Sequence, residues 1–85
     1  MRIPTMTARV YVTMKKTVLD PQGQAICRAL NAHGHPSVTE VRQGKYFEIS
    51  VDSTNAVSAR EELERIAGDI LTNPVIEDYR LELAE

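Results

Sequence analysis

The chain has 85 residues, of which 42% are hydrophobic and 26% are charged, and its formal net charge is -2. This length predicts one small domain, and the negative charge provides no overall basic field that would attract nucleic acid. No run approaches the roughly 18 apolar residues that a membrane span needs, and the opening MRIPTM lacks the apolar core of a signal peptide. The single cysteine, Cys27, excludes an internal disulfide and fits a reducing, cytoplasmic location.

Charge is unevenly distributed along the chain. Residues 1–45 contain seven Lys or Arg and two Asp or Glu, a balance of +5, whereas residues 46–85 contain three and ten, a balance of -7. Two separate lobes of opposite charge would indicate a charged partner. The strand pattern described next interleaves the two halves in one sheet, so we expect their charges to complement each other within the domain.

The first half of the chain predicts a strand followed by a helix. The segment ARVYVTM at 8–14 alternates apolar and polar residues, as a half-buried strand does. Asp20 suits the N-cap of a helix, Pro21 suits its first turn, and Gly34 suits its end. The predicted apolar face of this helix consists of Ile26, Cys27 and Leu30.

The middle of the chain predicts two short strands. HPSVTEVRQGKYFEISVD reads as a weak strand, a turn at Gln43-Gly44 and a second strand. That second strand directs Phe47, Ile49 and Val51 toward the core. An alternative is one long bent strand at 38–52.

The last part of the chain predicts the clearest helix and a final strand. In SAREELERIAGDIL, Ser58 and Glu61 fit a capping box, and Pro74 ends the helix. In the final strand Tyr79, Leu81 and Leu83 alternate with polar residues. The predicted apolar stripe of the helix is Leu63, Ile66, Ala67, Ile70 and Leu71.

The element order β-α-β-β-α-β predicts an α+β two-layer sandwich of the ferredoxin-like type. Two helices would cover one face of an antiparallel sheet. We expect residues 1–6 to form a flexible N-terminus, with Met6 as an alternative start, and 7–85 to form the single domain. The uncovered sheet face would display Arg9, Tyr11, Thr13, Tyr46, Glu48, Asp78, Arg80 and Glu82.

A search for chemistry among these residues predicts no catalytic, cofactor or metal site. His33 and His35 lack the further ligands that structural zinc needs, so we expect solvated loop histidines. Gly44-Lys45 lacks the earlier glycine and the following Ser or Thr of a phosphate loop. Cys27 lies on the apolar helix face, where a small core residue is the simpler interpretation.

Two binding alternatives remain open. Lys15 and Lys16 precede a helix start whose N–H groups near Gln22 and Gly23 could receive an anion, although Asp20 opposes one. An RNA-binding sheet would need stacking aromatics in a basic surface, and Tyr11 with Tyr46 provides only two rings in an acidic chain.

Three stretches resemble a known family. VYVTMKKTVLDPQGQAICRAL, VTEVRQGKYFEI and ILTNPVIEDYRLEL are similar to the PurS family, the small subunits of phosphoribosylformylglycinamidine synthase. The most specific pieces are LDPQG at 19–23, then Arg42 with Gly44-Lys45 and Glu48, and NPVIEDY at 73–79. The resemblance runs from Ala8 to Glu85.

The resemblance implies a multisubunit ligase of purine biosynthesis. A glutaminase subunit would release ammonia, and a large synthetase subunit, with ATP and magnesium, would convert formylglycinamide ribonucleotide to the amidine. The small subunit would bridge the two as a homodimer or tetramer, without catalytic residues or a cofactor of its own, and would bind no nucleic acid or membrane. The rival on the same fold is a small-ligand-binding regulatory domain.

The family motifs also indicate where partners would bind, although each has a structural explanation as a helix start, a turn or a helix stop. Two surfaces are candidates. The loop and helix start at 15–23 would face a partner, and the open sheet face or a sheet edge would form the dimer. The candidate interface residues are Lys15, Lys16, Asp20, Gln22, Arg42, Lys45, Glu48, Glu77, Asp78, Tyr79 and Arg80.

Overall fold

Three strands and two helices form the described part of the chain. The computed structural model describes residues 5–84, with β1 (Thr5–Met14), α1 (Pro21–Ala32), β2 (Gly44–Asp52), α2 (Ala56–Ile66), a π-helical turn (Ala67–Leu71) and β3 (Glu77–Ala84). The predicted α+β class is confirmed. The flexible segment predicted for 1–6 is too long, because β1 begins at Thr5 and Met6 is buried; its first four residues lie outside the described part of the chain.

The sheet is antiparallel with the strand order β2-β1-β3. The register of β1 with β2 runs from Thr5 opposite Asp52 to Thr13 opposite Gly44. The register of β1 with β3 runs from Thr7 opposite Ala84 to Met14 opposite Glu77. The basic half of the chain therefore lies between two strands of the acidic half, as the strand pattern predicts.

The hydrophobic core lies between one sheet face and α2. Alternate residues of β1 point inward because side chains alternate across a strand, and α2 covers them with a small-residue stripe and Leu63. Burying a side chain of leucine or valine size contributes about 1.5–3 kcal/mol. The fully buried apolar residues are Met6, Ala8, Val10, Val12, Ala59, Leu63 and Ala67.

The second helix differs from its prediction at both ends. It begins at Ala56, and Asn55 is its N-cap, with Oδ1 accepting from the N–H groups of Val57 and Ser58 at 2.9 and 3.2 Å. The capping box of Ser58 with Glu61 is therefore wrong, because Ser58 already lies inside the helix. At the other end the π-helical turn widens the helix and changes its phase, so Ile70 is 76% exposed instead of continuing the apolar stripe.

The predicted strand before β2 does not form. Residues 38–43 run without a turn or bend into β2, so the turn predicted at Gln43-Gly44 is absent as well. The physical reason is that β1 ends at Met14 and leaves the sheet toward α1, so β1 cannot pair with this segment. The chain is closer to the alternative of one long strand at 38–52, whose first six residues extend beyond the sheet.

Helix α1 lies beside this extension rather than in the core. Asn31 Nδ2 donates to Val38 O at 3.0 Å, and Cys27 Sγ lies 3.6 Å from the same oxygen. Cys27 is half-buried, so its predicted place in the core is wrong, and Ile26 is 42% exposed. We call α1 together with residues 38–43 the arm.

Candidate partner-binding surfaces

Most of the predicted interface residues meet at one end of the sheet, where β1 ends and β2 and β3 begin. Met14 lies opposite Glu77 and Thr13 lies opposite Gly44, so the flanking loops converge there. We call this cluster the polar rim. Its members are Lys15, Asp20, Gln22, Arg42, Lys45, Glu77 and Asp78.

A buried carboxylate and an arginine fix the loops of the polar rim. Asp20 caps α1, and its oxygens accept from Gly23 N at 3.0 Å and from Gln43 N at 2.7 Å. These two backbone hydrogen bonds, and then the charge of Arg42, hold the pKa of Asp20 below its usual range. Arg42 Nη2 donates to the carbonyl oxygens of Lys15 and Val18, both at 2.9 Å.

Two ion pairs connect β3 to the rest of the rim. Lys15 Nζ lies 2.7 Å from Asp78 Oδ1, and Lys45 Nζ lies 3.5 Å from Glu77 Oε2. The Glu77 side chain is largely buried, and its Oε1 accepts from Asn73 N at 2.7 Å. The Lys15–Asp78 pair is exposed, and exposed pairs stabilise a fold by at most about 1 kcal/mol, so this pair shapes the surface more than it holds the domain.

The turn that precedes β3 presents an apolar tip beside these charges. Asn73 Oδ1 accepts from Val75 N at 3.1 Å, and Lys15 N donates to Ile76 O at 2.9 Å, which attaches the turn to the loop after β1. Val75 is consequently 80% exposed, and Leu19 on the neighbouring loop is also exposed. Leu19, Val75, Gln43 and Asn73 lie in the motifs or the turn that the sequence indicates, but they were not among the interface candidates. For Leu19 and Val75, an apolar residue inside a polar turn motif was the available signal.

The rim encloses a shallow cleft of about 230 Å³. Its charged lining consists of Lys45 with the carboxylates of Asp20 and Glu77. Gly23 N, one of the N–H groups at the start of α1, is already bonded to Asp20. This arrangement disfavours an anion at the helix start, because a carboxylate already occupies the favourable position. Lys16 lies exposed in the loop after β1, away from the lining.

The open face of the sheet is the second candidate surface. Tyr46, Tyr11 and Arg80 form one row across the strands, with the tyrosine rings 5.2 Å apart and Arg80 Cζ 4.3 Å from the Tyr11 ring centre. The next row is Glu48, Arg9 and Glu82. The predicted set of open-face residues is confirmed by this register. It combines paired charges with tyrosines, which suits a polar protein interface.

The same face does not favour RNA. Tyr46 OH donates to Glu48 at 2.8 Å, and this hydrogen bond to a carboxylate raises the pKa of Tyr46. Arg80, the cation next to Tyr11, is paired with Glu82 at 2.8 Å. An RNA-binding sheet needs free rings in a basic surface, whereas carboxylates flank these rings.

Tyr79 is the candidate that lies inside the fold. It points to the core side of β3, where its hydroxyl donates to Glu64 Oε2 on α2 at 2.5 Å, and this bond raises the pKa of Tyr79. The structure thus places seven of the eleven candidates in the rim. The other four are Glu48 and Arg80 on the open face, Lys16 in a loop, and Tyr79 between β3 and α2.

Neither a metal-binding cluster nor a membrane-spanning helix is found in residues 5–84. In that range no three His, Cys, Asp or Glu side chains gather into a possible metal site, and His33 and His35 are exposed beyond α1. The helices found there are too short and too polar to cross a bilayer. Fold and surfaces together define a small α+β protein with polar surfaces that suit a protein partner.

Comparison with known proteins identifies the family of this chain. The model of the family described as "PurS: Phosphoribosylformylglycinamidine (FGAM) synthase" matches residues 7–85. The chain belongs to the PurS family, whose members are subunits of this synthase of purine biosynthesis. Of the motifs of the resemblance, LDPQG and most of the other two lie in the polar rim and its turns, whereas Glu48 lies on the open face and Tyr79 lies between β3 and α2.

Individual relatives match this chain over nearly their whole length. The phosphoribosylformylglycinamidine synthase subunit PurS of Mycobacterium leprae is 47% identical over 74 residues, covering 87% of this chain and 90% of the relative. The crystal structure of PurS from Methanocaldococcus jannaschii, one of the subunits of formylglycinamide ribonucleotide amidotransferase, is 38% identical with a TM-score of 0.82, covering 94% and 96% of the two chains. A chain in the structure of PurLQS from Thermotoga maritima is 28% identical with a TM-score of 0.87, covering 95% and 99%.

Proposed function

We propose that this chain is a non-catalytic subunit that bridges the glutaminase and the synthetase of the complex and assists ammonia transfer between them. The similarity to a chain of PurLQS from Thermotoga maritima supports a place in such an assembly. The two partners are a glutaminase, which releases ammonia, and a synthetase, which holds ATP and magnesium. The chain acts in the cytoplasm as a homodimer or a tetramer.

The single observation that carries this proposal is the convergence of the family motifs on the polar rim. Three stretches that are far apart in sequence meet there, and each contributes charged or exposed apolar groups. Ion pairs beside apolar tips suit a partner surface. The charged residues also fix the loops of the rim, since the side chains of Asp20, Arg42 and Glu77 form hydrogen bonds with backbone groups of those loops.

The physical need for such a subunit follows from the chemistry of ammonia. In bulk water near neutral pH ammonia takes up a proton and loses its nucleophilicity. Two active sites that exchange it must be held together with a sheltered path, which is a proximity effect. A small rigid module with several polar surfaces meets that need without reacting groups of its own.

Reconstitution of the three purified subunits tests the proposal. ATP turnover is measured with glutamine and with ammonium salt, each with and without this chain. We expect omission to abolish the glutamine-dependent rate and to leave the ammonium-dependent rate largely intact. Equal rates with and without the chain would refute the bridging role and favour the regulatory domain instead.

A further inference from the structure

Leu19 is an exposed apolar residue whose neighbours on both sides are held in place. It lies in residues 15–20, which join β1 to α1 and which we call the β1–α1 loop, and it is 64% exposed. The residue before it, Val18, is bonded to Arg42, and the residue after it, Asp20, is bonded to Gln43. The fold thus restricts a loop whose apolar side chain gains little from burial, at a cost in chain entropy.

Arg42 provides the anchor on the first side of Leu19. Its Nη2 donates to the carbonyl oxygens of Lys15 and Val18, both at 2.9 Å. These two residues are the ends of a β-turn, in which Val18 N donates to Lys15 O at 2.9 Å. Because a guanidinium Nη carries two N–H groups, one nitrogen of Arg42 can bond to both ends of the turn at once.

The buried carboxylate of Asp20 provides the anchor on the other side. Its Oδ2 accepts from Gln43 N at 2.7 Å. Gln43 follows Arg42 directly, so two consecutive residues hold both neighbours of Leu19.

The β1–α1 loop is also connected to the turn that carries Val75. Lys15 N donates to Ile76 O at 2.9 Å, and Lys15 Nζ lies 2.7 Å from Asp78 Oδ1. The exposed tips at Leu19 and Val75 therefore belong to segments that hydrogen bonds join. Holding the β1–α1 loop also fixes how its tip is placed relative to the second one.

We propose that Arg42 is a positioning residue for assembly, which acts on the partner subunits through the β1–α1 loop by holding Leu19 ready for contact. An ordered side chain loses less freedom on binding. If the loop is held for only part of the time, the apparent affinity falls with the fraction of molecules in which it is held. Arg42 therefore sets how tightly the chain binds its partners and not how fast the assembled complex works. This inference rests on the proposed bridging function.

The position of Arg42 separates this role from a role in the core. Arg42 is exposed, and the core cluster around Val10, Val12 and Ala67 does not include it. Replacing it with alanine leaves the sheet and α2 intact and releases the turn. The effect on the loop can therefore be measured in a folded chain.

Amide hydrogen exchange of the full chain tests the first step. In Arg42→Ala the turn keeps only its own backbone bond, so we expect the Val18 amide to exchange at least about tenfold faster. The Val10 amide, in the central strand, stays unchanged. Arg65→Ala removes an exposed arginine from the last turn of α2 and is the matched control. Unchanged exchange at Val18, or equal acceleration at Val10, would overturn the inference.

Titration of the chain into the two purified partner subunits tests the second step, with glutamine-dependent ATP turnover as the signal. We expect Arg42→Ala to raise the half-saturating concentration of the chain at least about tenfold with an unchanged rate at saturation, and Arg65→Ala to change neither. An unchanged half-saturating concentration or a lower saturating rate would overturn the inference alone. Partners that do not need the wild-type chain would overturn the proposed function with it.

Leu19→Ala, alone and combined with Arg42→Ala, distinguishes an effect through the loop from a direct contact of Arg42. If Arg42 acts by placing Leu19, the double variant binds about as weakly as the weaker single variant, because the second change removes nothing further. Two independent contacts would multiply their effects on the half-saturating concentration. A double variant that shows this product would overturn the positioning role, as would a Leu19→Ala chain that binds like the wild type.

Discussion

The sheet with α2 and the arm are stabilised in different ways. In the sheet, β1 is paired on both sides, and its inward residues are sealed by Ala59, Leu63 and Ala67. In the arm, Gly23 is the one buried residue of α1, and the contacts are those of Asp20, Asn31 and Arg42 with backbone groups. No residue of α1 belongs to the core cluster around Val10, Val12 and Ala67.

The two parts of the fold therefore depend on different interactions. Apolar burial stabilises the sheet with α2, because burial is the largest favourable contribution to folding. The arm is positioned by a few directional hydrogen bonds and leaves a strand edge and apolar side chains unpaired.

Removing the best-buried side chain gives the largest effect. Leu63 is fully buried, so Leu63→Ala lowers the free energy of unfolding by about 2–5 kcal/mol. Leu30→Ala, the same substitution in the half-buried face of α1, costs clearly less. Urea unfolding of both variants at one protein concentration measures this. Similar losses would mean that the arm is packed as tightly as the sheet.

The attachment of the arm is tested at Gly23. A Cβ at this position would meet the Val41 carbonyl oxygen and the Asp20 carboxylate, so Gly23→Ala destabilises by about 1–3 kcal/mol. Gly68→Ala is the control, because its Cβ would find ordinary contact distances to Tyr79. Thermal unfolding distinguishes the two. An unchanged melting temperature for Gly23→Ala would show that the arm does not depend on this close approach.

The polar link between β3 and α2 is tested with Tyr79→Phe. Loss of the bond to Glu64 costs about 1 kcal/mol at pH 7. The raised pKa of Tyr79 implies stability that is present below the ordinary value of 10 and is lost as pH rises through the raised value. The wild type therefore loses more stability than Tyr79→Phe between pH 7 and pH 11, measured by urea unfolding. Equal losses would contradict this link.

A pH-dependent difference is expected for Asp20→Asn, which removes the charge, keeps one accepting oxygen and replaces the other with an amide nitrogen that cannot accept from a backbone N–H. The lowered pKa of Asp20 implies stability that is present above its ordinary value of 3.8 and is lost as pH falls through the lowered value. Between pH 6 and pH 2 the wild type loses the contribution of this carboxylate and Asp20→Asn does not. Melting temperatures at the two pH values measure the difference. Parallel decreases would show that Asp20 contributes nothing to acid sensitivity.

Sequence reasoning predicted the regular parts of the fold because each pattern is local. Alternation in β1 and β3 and the cap at Asp20 needed no knowledge of distant contacts. It failed where the outcome depends on what lies nearby in space. The strand pattern at 38–43 was real, but a strand needs a neighbour, and β1 ends before it. Ile70 was misplaced because the π-helical turn leaves no periodic signal.

The polar rim was predicted residue by residue but not as a single site. The resemblance indicated Lys15, Asp20, Arg42, Lys45 and Glu77, while the convergence of their loops required the sheet register. The exposed tips at Leu19 and Val75 were missed because hydropathy alone assigns such residues to the core. Exposure of an apolar side chain is decided by tertiary structure, in this case by the turn that Asn73 organises.

A substitution at the apolar tip of the rim tests the central claim most directly. Val75 is 80% exposed on the turn beside the polar rim, and Val57 is 68% exposed on the first turn of α2. Changing either to Asp leaves the folded chain intact, since neither side chain is buried. In the reconstituted complex we expect Val75→Asp to reduce glutamine-dependent ATP turnover at least tenfold with the ammonium-dependent rate unchanged, and Val57→Asp to reduce neither. Full glutamine-dependent activity with Val75→Asp, or its loss with Val57→Asp alone, would contradict the assignment of the polar rim as the partner-binding surface.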